Sequence, residues 1–282
     1  MTHTRTTLTA LLAQHDLGPS RALGQNFVVD PNTVRRIARL ADVGPDTHVV
    51  EIGAGLGSLT LALVETGASV TAVELDRYLV PVLREVVAGH PVRVIEGDAM
   101  RLDWTELLAE HDRWTLVANL PYNVATPLVL DLLADVPAIE RMLVMVQREA
   151  GERLAAAPGS GIYGIPSVKV ALRATARIVG KVGPDVFLPR PRVDSALVEI
   201  VRRDELATSA DPDLLVDLME RAFNQRRKML RRSLASRVSP EAFAAADVSP
   251  EDRPERLSVQ DWGRLTDAVA RLGQPGAPTI DG

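Results

Sequence analysis

Val49-Val50-Glu51-Ile52-Gly53-Ala54-Gly55-Leu56-Gly57 carries an apolar run straight into three glycines separated by single residues. The run reads as a buried strand, the glycines as a turn, and the apolar periodicity from Ser58 as a helix. Glycines at such a turn allow positive φ and let the main chain approach a ligand with no Cβ in the way. The spacing is G-x-G-x-G, whereas a dinucleotide fold uses G-x-G-x-x-G with a pyrophosphate at the helix N-terminus. Taken alone, the turn is as compatible with tight packing as with a ligand.

Outward from this turn, short apolar runs alternate with helical patterns, as in a parallel sheet with crossover helices. Strands are predicted at His48–Ile52, Ser69–Leu75, Val92–Glu96, Thr115–Asn119 and Arg141–Gln147, with helices at Ser58–Thr66, Arg77–Ala88, Trp104–Glu110 and Pro127–Ala134. Asn32–Leu40 precedes the block as a helix; Gln147–Ala156 and Pro166–Ala174 follow it as helices, and Thr175–Val182 and Ser195–Val201 as late strands. After a polar linker the chain reads as helical at Pro212–Phe223, Arg226–Arg237, Pro240–Ala246 and Val259–Arg271, and the Gly/Pro-rich 273–282 reads as a frayed end. The expected fold class is α/β, with residues 1–204 as a catalytic domain and 205–282 as a small all-α domain.

Two further strand ends carry acids. Ala72-Val73-Glu74-Leu75-Asp76 puts a carboxylate where it can accept both hydroxyls of a ribose, and Glu96-Gly97-Asp98-Ala99 puts Asp98 where it suits an adenine amino group. Each has a plainer reading, Glu74 as a surface acid and Asp98 as a turn cap. Three such features in order on successive strands point to a nucleoside-bearing cofactor. The short glycine spacing favours S-adenosyl-L-methionine over a nicotinamide, since it has no phosphate to place.

The fourth strand ends in Asn119-Leu120-Pro121-Tyr122. An aromatic amine is a poor nucleophile because its lone pair is delocalised into the ring. Oxygens accepting its hydrogens, from the Asn119 side chain and the Leu120 main chain, steer the nitrogen toward tetrahedral geometry. Pro121 fixes the turn and donates no competing N–H, and Tyr122 offers a flat face for a base. By itself the tetrapeptide is also an ordinary strand-to-turn exit.

The chain has 282 residues, 46% hydrophobic and 24% charged, enough for a full core. It has no cysteine, and His3, His15, His48, His90 and His111 lack ligand spacing, so no metal is expected. No apolar run approaches the roughly 20 residues of a membrane span. Without a secretory pattern at Met1–Gln14, a cytoplasmic location is expected. A net charge of -5 argues against nucleic acid, yet Arg221, Arg226, Arg227, Lys228, Arg231, Arg232 and Arg237 occupy a stretch without a single acid. That stretch reads as a phosphate-binding surface; a solvated helix face is the alternative.

With these residues the chain resembles the bacterial small-subunit ribosomal RNA adenine dimethyltransferases over about Leu17 to Leu272. The likeness extends to Leu23-Gly24-Gln25-Asn26-Phe27, Gln147-Arg148-Glu149, Tyr163-Gly164, Phe187-Leu188-Pro189-Arg190-Pro191-Arg192-Val193-Asp194-Ser195 and Phe223-Asn224-Gln225-Arg226-Arg227-Lys228. The resemblance implies a Rossmann-like sheet with an antiparallel last strand. It implies cofactor contacts from Asn26, Val28, Gly53, Gly55, Glu74, Asp98, Ala99 and Asn119, with Phe187 as a second aromatic face opposite Tyr122. Val28 stands where the family often has Leu. The implied substrate is two adjacent adenines near the 3′ end of 16S ribosomal RNA in the assembling small subunit, met by a monomer. A resistance-type methyltransferase of large-subunit RNA and an assembly factor whose main role is binding are the alternatives.

Overall fold

In a computed structural model of the chain, residues 2–272 are described; the expectation for 273–282 lies outside them. Nine strands form among the described residues: β1 (Phe27–Val28), β2 (His48–Ile52), β3 (Ser69–Glu74), β4 (Val92–Glu96), β5 (Trp114–Asn119), β6 (Ile139–Gln147), β7 (Ala174–Val182), β8 (Phe187–Leu188) and β9 (Ser195–Arg202). Seven make one sheet in the order β4-β3-β2-β5-β6-β9-β7. β4 through β6 run parallel and β9 is antiparallel to β6, as the resemblance implies. The near-continuous apolar runs of β2, β5 and β6 follow from burial on both faces. Helices Pro31–Ala41 and Ser58–Val64 share a core with β2, β3, β5, β6 and β9 through Val34, Ile37, Leu59, Val117, Leu143 and Leu197.

By compactness the chain divides into two units. Among the described residues the first is 2–152 with Ala176–Arg202, and the second is Arg153–Thr175 with 203–272. The division near 202 lies close to the expected 204/205 boundary. Arg153–Thr175, placed by the sequence in the first domain, is grouped instead with the helical unit. That unit has its own core, in which Tyr163, Val168 and Leu172 join Leu218, Phe223, Leu230, Phe243 and Trp262.

Local chemistry sets the element ends. Asp30 accepts from the Asn32 and Thr33 amides, with Pro31 opening helix Pro31–Ala41; Asp211 and Pro212 repeat the device at Pro212–Phe223. Four elements depart from the sequence reading. Helix Arg5–Gln14 is unpredicted, a Thr-rich segment held by the burial of Leu8 and Leu12 beside Phe27, Leu56 and Leu79. The two-residue strands β1 and β8 pair antiparallel, Val28 opposite Phe187. The helix expected over Arg226–Arg237 is a turn at 224–227 and one short helix, Leu230–Ser233.

Candidate cofactor and base site

Parallel strands deliver their C-terminal ends to one edge, and in this sheet β2, β3, β4 and β5 bring four motifs to a single cavity. Its walls are 22–28, the glycine turn 53–56, Glu74-Leu75, 97–100 and 119–124. Of the residues assigned from sequence, Asn26, Val28, Gly53, Gly55, Glu74, Asp98, Ala99, Asn119, Leu120, Pro121 and Tyr122 all line it.

Glu74 closes β3 with its carboxylate buried: Oε2 accepts from the Gly55 amide at 2.7 Å and Oε1 from the Asp76 amide at 2.8 Å. Burial pushes its pKa up, and the amide hydrogen bonds act against that rise. Glu51, 1% exposed, accepts from the Thr60 hydroxyl at 2.6 Å. Its burial dominates, and the carboxyl is pushed up to about 8. Asp98 turns the chain after β4 by accepting from the Met100 amide, and the Ala99 carbonyl accepts from the Trp104 indole.

These groups fit S-adenosylmethionine. Glu74 retains acceptor capacity for ribose hydroxyls, and Asp98 can accept from an amino group. Leu75 and Met100 line the cavity although half of one and 42% of the other is exposed, an apolar slot for a purine ring. Gly53 has φ +76, and a Cβ there would stand 3.6 Å from the Asn119 carbonyl oxygen and 3.9 Å from Pro121 Cδ. A side chain at that position would occupy the space between the glycine turn and the Asn119 turn. The absence of a side chain keeps the passage between the two halves open.

Asn119 ends β5 opposite Met145, and its Nδ2 donates to the main-chain carbonyl of Asn26 at 2.9 Å. With the NH₂ group committed there, Oδ1 is the part of the amide left for a ligand. The Leu120 amide donates to the Met145 carbonyl, and the Pro121 carbonyl accepts from Val124 and Ala125 to start helix Ala125–Asp135. The Tyr122 hydroxyl and Ser195 Oγ are 3.0 Å apart, Ser195 being fully buried opposite Gln147 on β6.

Phe187 is not where the resemblance puts it. Its side chain is 0% exposed, packed with Val28, Ile37, Val182 and Leu197, and it does not line the cavity. The β1–β8 pairing turns its ring into the core, so in this arrangement the aromatic residues lining the cavity are Tyr122 and Phe27. Three residues at the site escaped a role in the sequence reading: Glu51, Gln25 and Ser195. Gln25 Oε1 accepts from the Ser20 amide and its Nε2 donates to Asp76 Oδ2, so it ties the segment over the cavity to the end of β3. Their partners lie far along the chain, and only their place in the quoted motifs marks them.

In the helical unit, the acid-free stretch does find acids from elsewhere. Arg221 and Arg237 pair with Asp217, Arg226 with Glu255 and Arg231 with Glu251. Arg227, Lys228 and Arg232 are exposed and have no ion pair among the described residues. Among the described residues no cluster of three His, Asp or Glu side chains suits a metal, and no helix is long and apolar enough to cross a membrane.

The family model for ribosomal RNA adenine dimethylase matches residues 20–271. A ribosomal RNA small subunit methyltransferase A of Kineococcus radiotolerans is 49% identical over 257 residues, covering 88% of this chain and 85% of that one. Its counterpart in Thermobifida fusca is 47% identical over 268 residues, covering 91% and 92%. Among solved structures, the 23S rRNA methyltransferase ErmE superposes with a TM-score of 0.67 at 26% identity, covering 86% of this chain and 99% of that one. The chain belongs to the ribosomal RNA adenine dimethylase family, S-adenosylmethionine-dependent enzymes that methylate ribosomal RNA.

Proposed function

We propose that the chain transfers two methyl groups to N6 of each of two adjacent adenines near the 3′ end of 16S ribosomal RNA. It does so as a monomer, in the cytoplasm, on the assembling small subunit. The observation that carries the chemistry is the Asn119 amide, whose NH₂ group is held by Asn26 while Oδ1 remains free in the wall of the cavity. The relatives named for the small subunit stand at 47–49% identity, against 26% for the large-subunit enzyme, which favours the small subunit as acceptor.

When bound, S-adenosylmethionine supplies a methyl group on a positively charged sulfur, an electrophile that a neutral amine can attack. Asn26, Val28, Gly53, Gly55, Glu74, Asp98 and Ala99 would hold it. Asn119 Oδ1 and the Leu120 carbonyl accept the two N6 hydrogens and turn the nitrogen lone pair out of conjugation. Tyr122 stacks on the target base, and Ser195 fixes the plane of that ring through the phenol oxygen. The methylated nitrogen is strongly acidic and gives its proton to water, so no dedicated base is required. Catalysis is positioning and exclusion of water. Arg227, Lys228 and Arg232, free of acidic partners, contact RNA phosphates together with Arg221, Arg226 and Arg231.

Purified chain, labelled cofactor and small subunits lacking the modification should yield dimethyladenine in the small-subunit RNA. Transfer to large-subunit RNA alone would overturn the assignment.

A further inference from the structure

Tyr78 is the one aromatic side chain among the exposed large apolar groups of the described residues, with 59% of it open to solvent. It follows β3 by four residues. Two other exposed apolar side chains at the same strand ends, Leu75 and Met100, line the cavity and are covered once a cofactor fills it. Tyr78 does not line the cavity, so the cofactor leaves it exposed.

Its position is held rather than loose. The Tyr78 amide donates to Asp76 Oδ1 at 3.0 Å, and Asp76 Oδ2 accepts from Gln25, which in turn takes the Ser20 amide. Arg77 lies over the ring with its guanidinium carbon 4.8 Å from the centroid, and its Nη2 donates to the phenol oxygen at 2.7 Å. Arg77 is exposed and makes no ion pair among the described residues, and the Gln25 bridge ties Ser20, next in sequence to the exposed Arg21, to the same strand end. An aromatic ring layered with an exposed guanidinium suits a polyanion with unpaired bases, since such bases stack on aromatic rings and on arginine planes.

β3 and β5 are separated in the sheet by β2 alone. Neighbouring strands lie about 4.8 Å apart, so the ends of β3 and β5 are about 10 Å from each other. A platform after β3 therefore stands within reach of a nucleotide neighbouring the one at Asn119.

We propose that Arg77 and Tyr78 form a second stacking platform, which takes an unpaired base of the ribosomal RNA flanking the target adenine. The inference rests on ribosomal RNA being the acceptor. Tyr78→Ala and Tyr78→Phe in the full chain test it, with methyl transfer to unmodified small subunits and cofactor affinity by calorimetry as readouts. Tyr78→Ala should raise KM for the subunits about tenfold, the size of a single base–aromatic stack, and leave cofactor affinity unchanged. Tyr78→Phe should keep KM within about twofold of the parent, because the ring and not the hydroxyl does the stacking. An unchanged KM in Tyr78→Ala, or a loss of cofactor affinity in its place, overturns the platform. If the parent chain methylated only large-subunit RNA, the proposed function would fall, and the same KM comparison on that acceptor would still decide the platform.

Discussion

The side-chain amide of Asn119 donates to the main-chain carbonyl of Asn26, 93 residues earlier in the chain, at 2.9 Å. Asn26 belongs to the segment lining one side of the cavity, and Asn119 ends the strand proposed to meet the target base. One hydrogen bond thus joins the two halves of the site. It also selects which end of the Asn119 amide faces the acceptor, since an NH₂ group bound to a carbonyl leaves the oxygen outward.

Gln25 is the clamp of the covering segment, holding Ser20 and Asp76 at once. Gln25→Ala should weaken cofactor affinity about tenfold, in line with loss of a hydrogen bond to a charged carboxylate. Little change in melting temperature is expected, because the residue is only part-buried. Calorimetric titration with the cofactor checks the first, thermal unfolding the second. Unchanged affinity would mean that the segment holds its place by the packing of Phe27 alone.

Ser195 and Tyr122 act as a pair. Ser195→Ala and Tyr122→Phe each remove the same 3.0 Å contact and should each lower kcat/KM several-fold with the fold intact. The double variant should be no worse than the more severe single one, as expected when two residues share one interaction. Additive losses in the double-mutant cycle would show that the hydroxyls serve separate ends.

Glu51 gives a pH dependence with a defined sign. Its carboxyl is protonated up to about 8 in the folded chain, against 4.5 for an ordinary glutamate. Folding therefore takes up a proton between these values, and stability falls as pH rises across the interval. Glu74, also raised by burial, acts in the same direction. Glu51→Gln in the cofactor-free chain should flatten the fall, with its gain over the parent largest at the alkaline end. Melting temperatures measured from about pH 5 to 9 check this, and parallel curves for the two proteins would refute the burial of an acid there.

The basic turn divides into paired and free cations. Arg227→Ala and Lys228→Ala should each reduce the slope of log affinity against log salt by about 0.7 to 0.9. Arg226→Ala, which gives up a pairing with Glu255, should change the slope less. RNA binding measured across a salt series gives the slopes. Equal slopes for all three variants would remove the distinction.

Much of this is legible in the sequence, and the limits are physical. The glycine turn, the acids after β3 and β4, and Asn119–Tyr122 are local patterns at strand ends, and strand periodicity places them. Helix Arg5–Gln14 is not legible, because Thr6, Thr7 and Thr9 are weak helix formers and the packing of Leu8 and Leu12 decides it. β1 and β8 are too short for any periodicity, so the inward turn of Phe187 appears only once Val28 pairs with it. The run from Arg226 to Arg237 lacks acids in sequence alone; Asp217, Glu251 and Glu255 reach it through the fold.

The most direct test is mass spectrometry of small-subunit ribosomal RNA from cells lacking this gene, complemented with the parent chain or with Asn119→Ala. The parent should restore N6,N6-dimethyladenine at two adjacent positions near the 3′ end, and the variant should leave both adenines unmodified although the protein is folded. Dimethyladenine restored equally by Asn119→Ala, or restored by neither, would contradict the account.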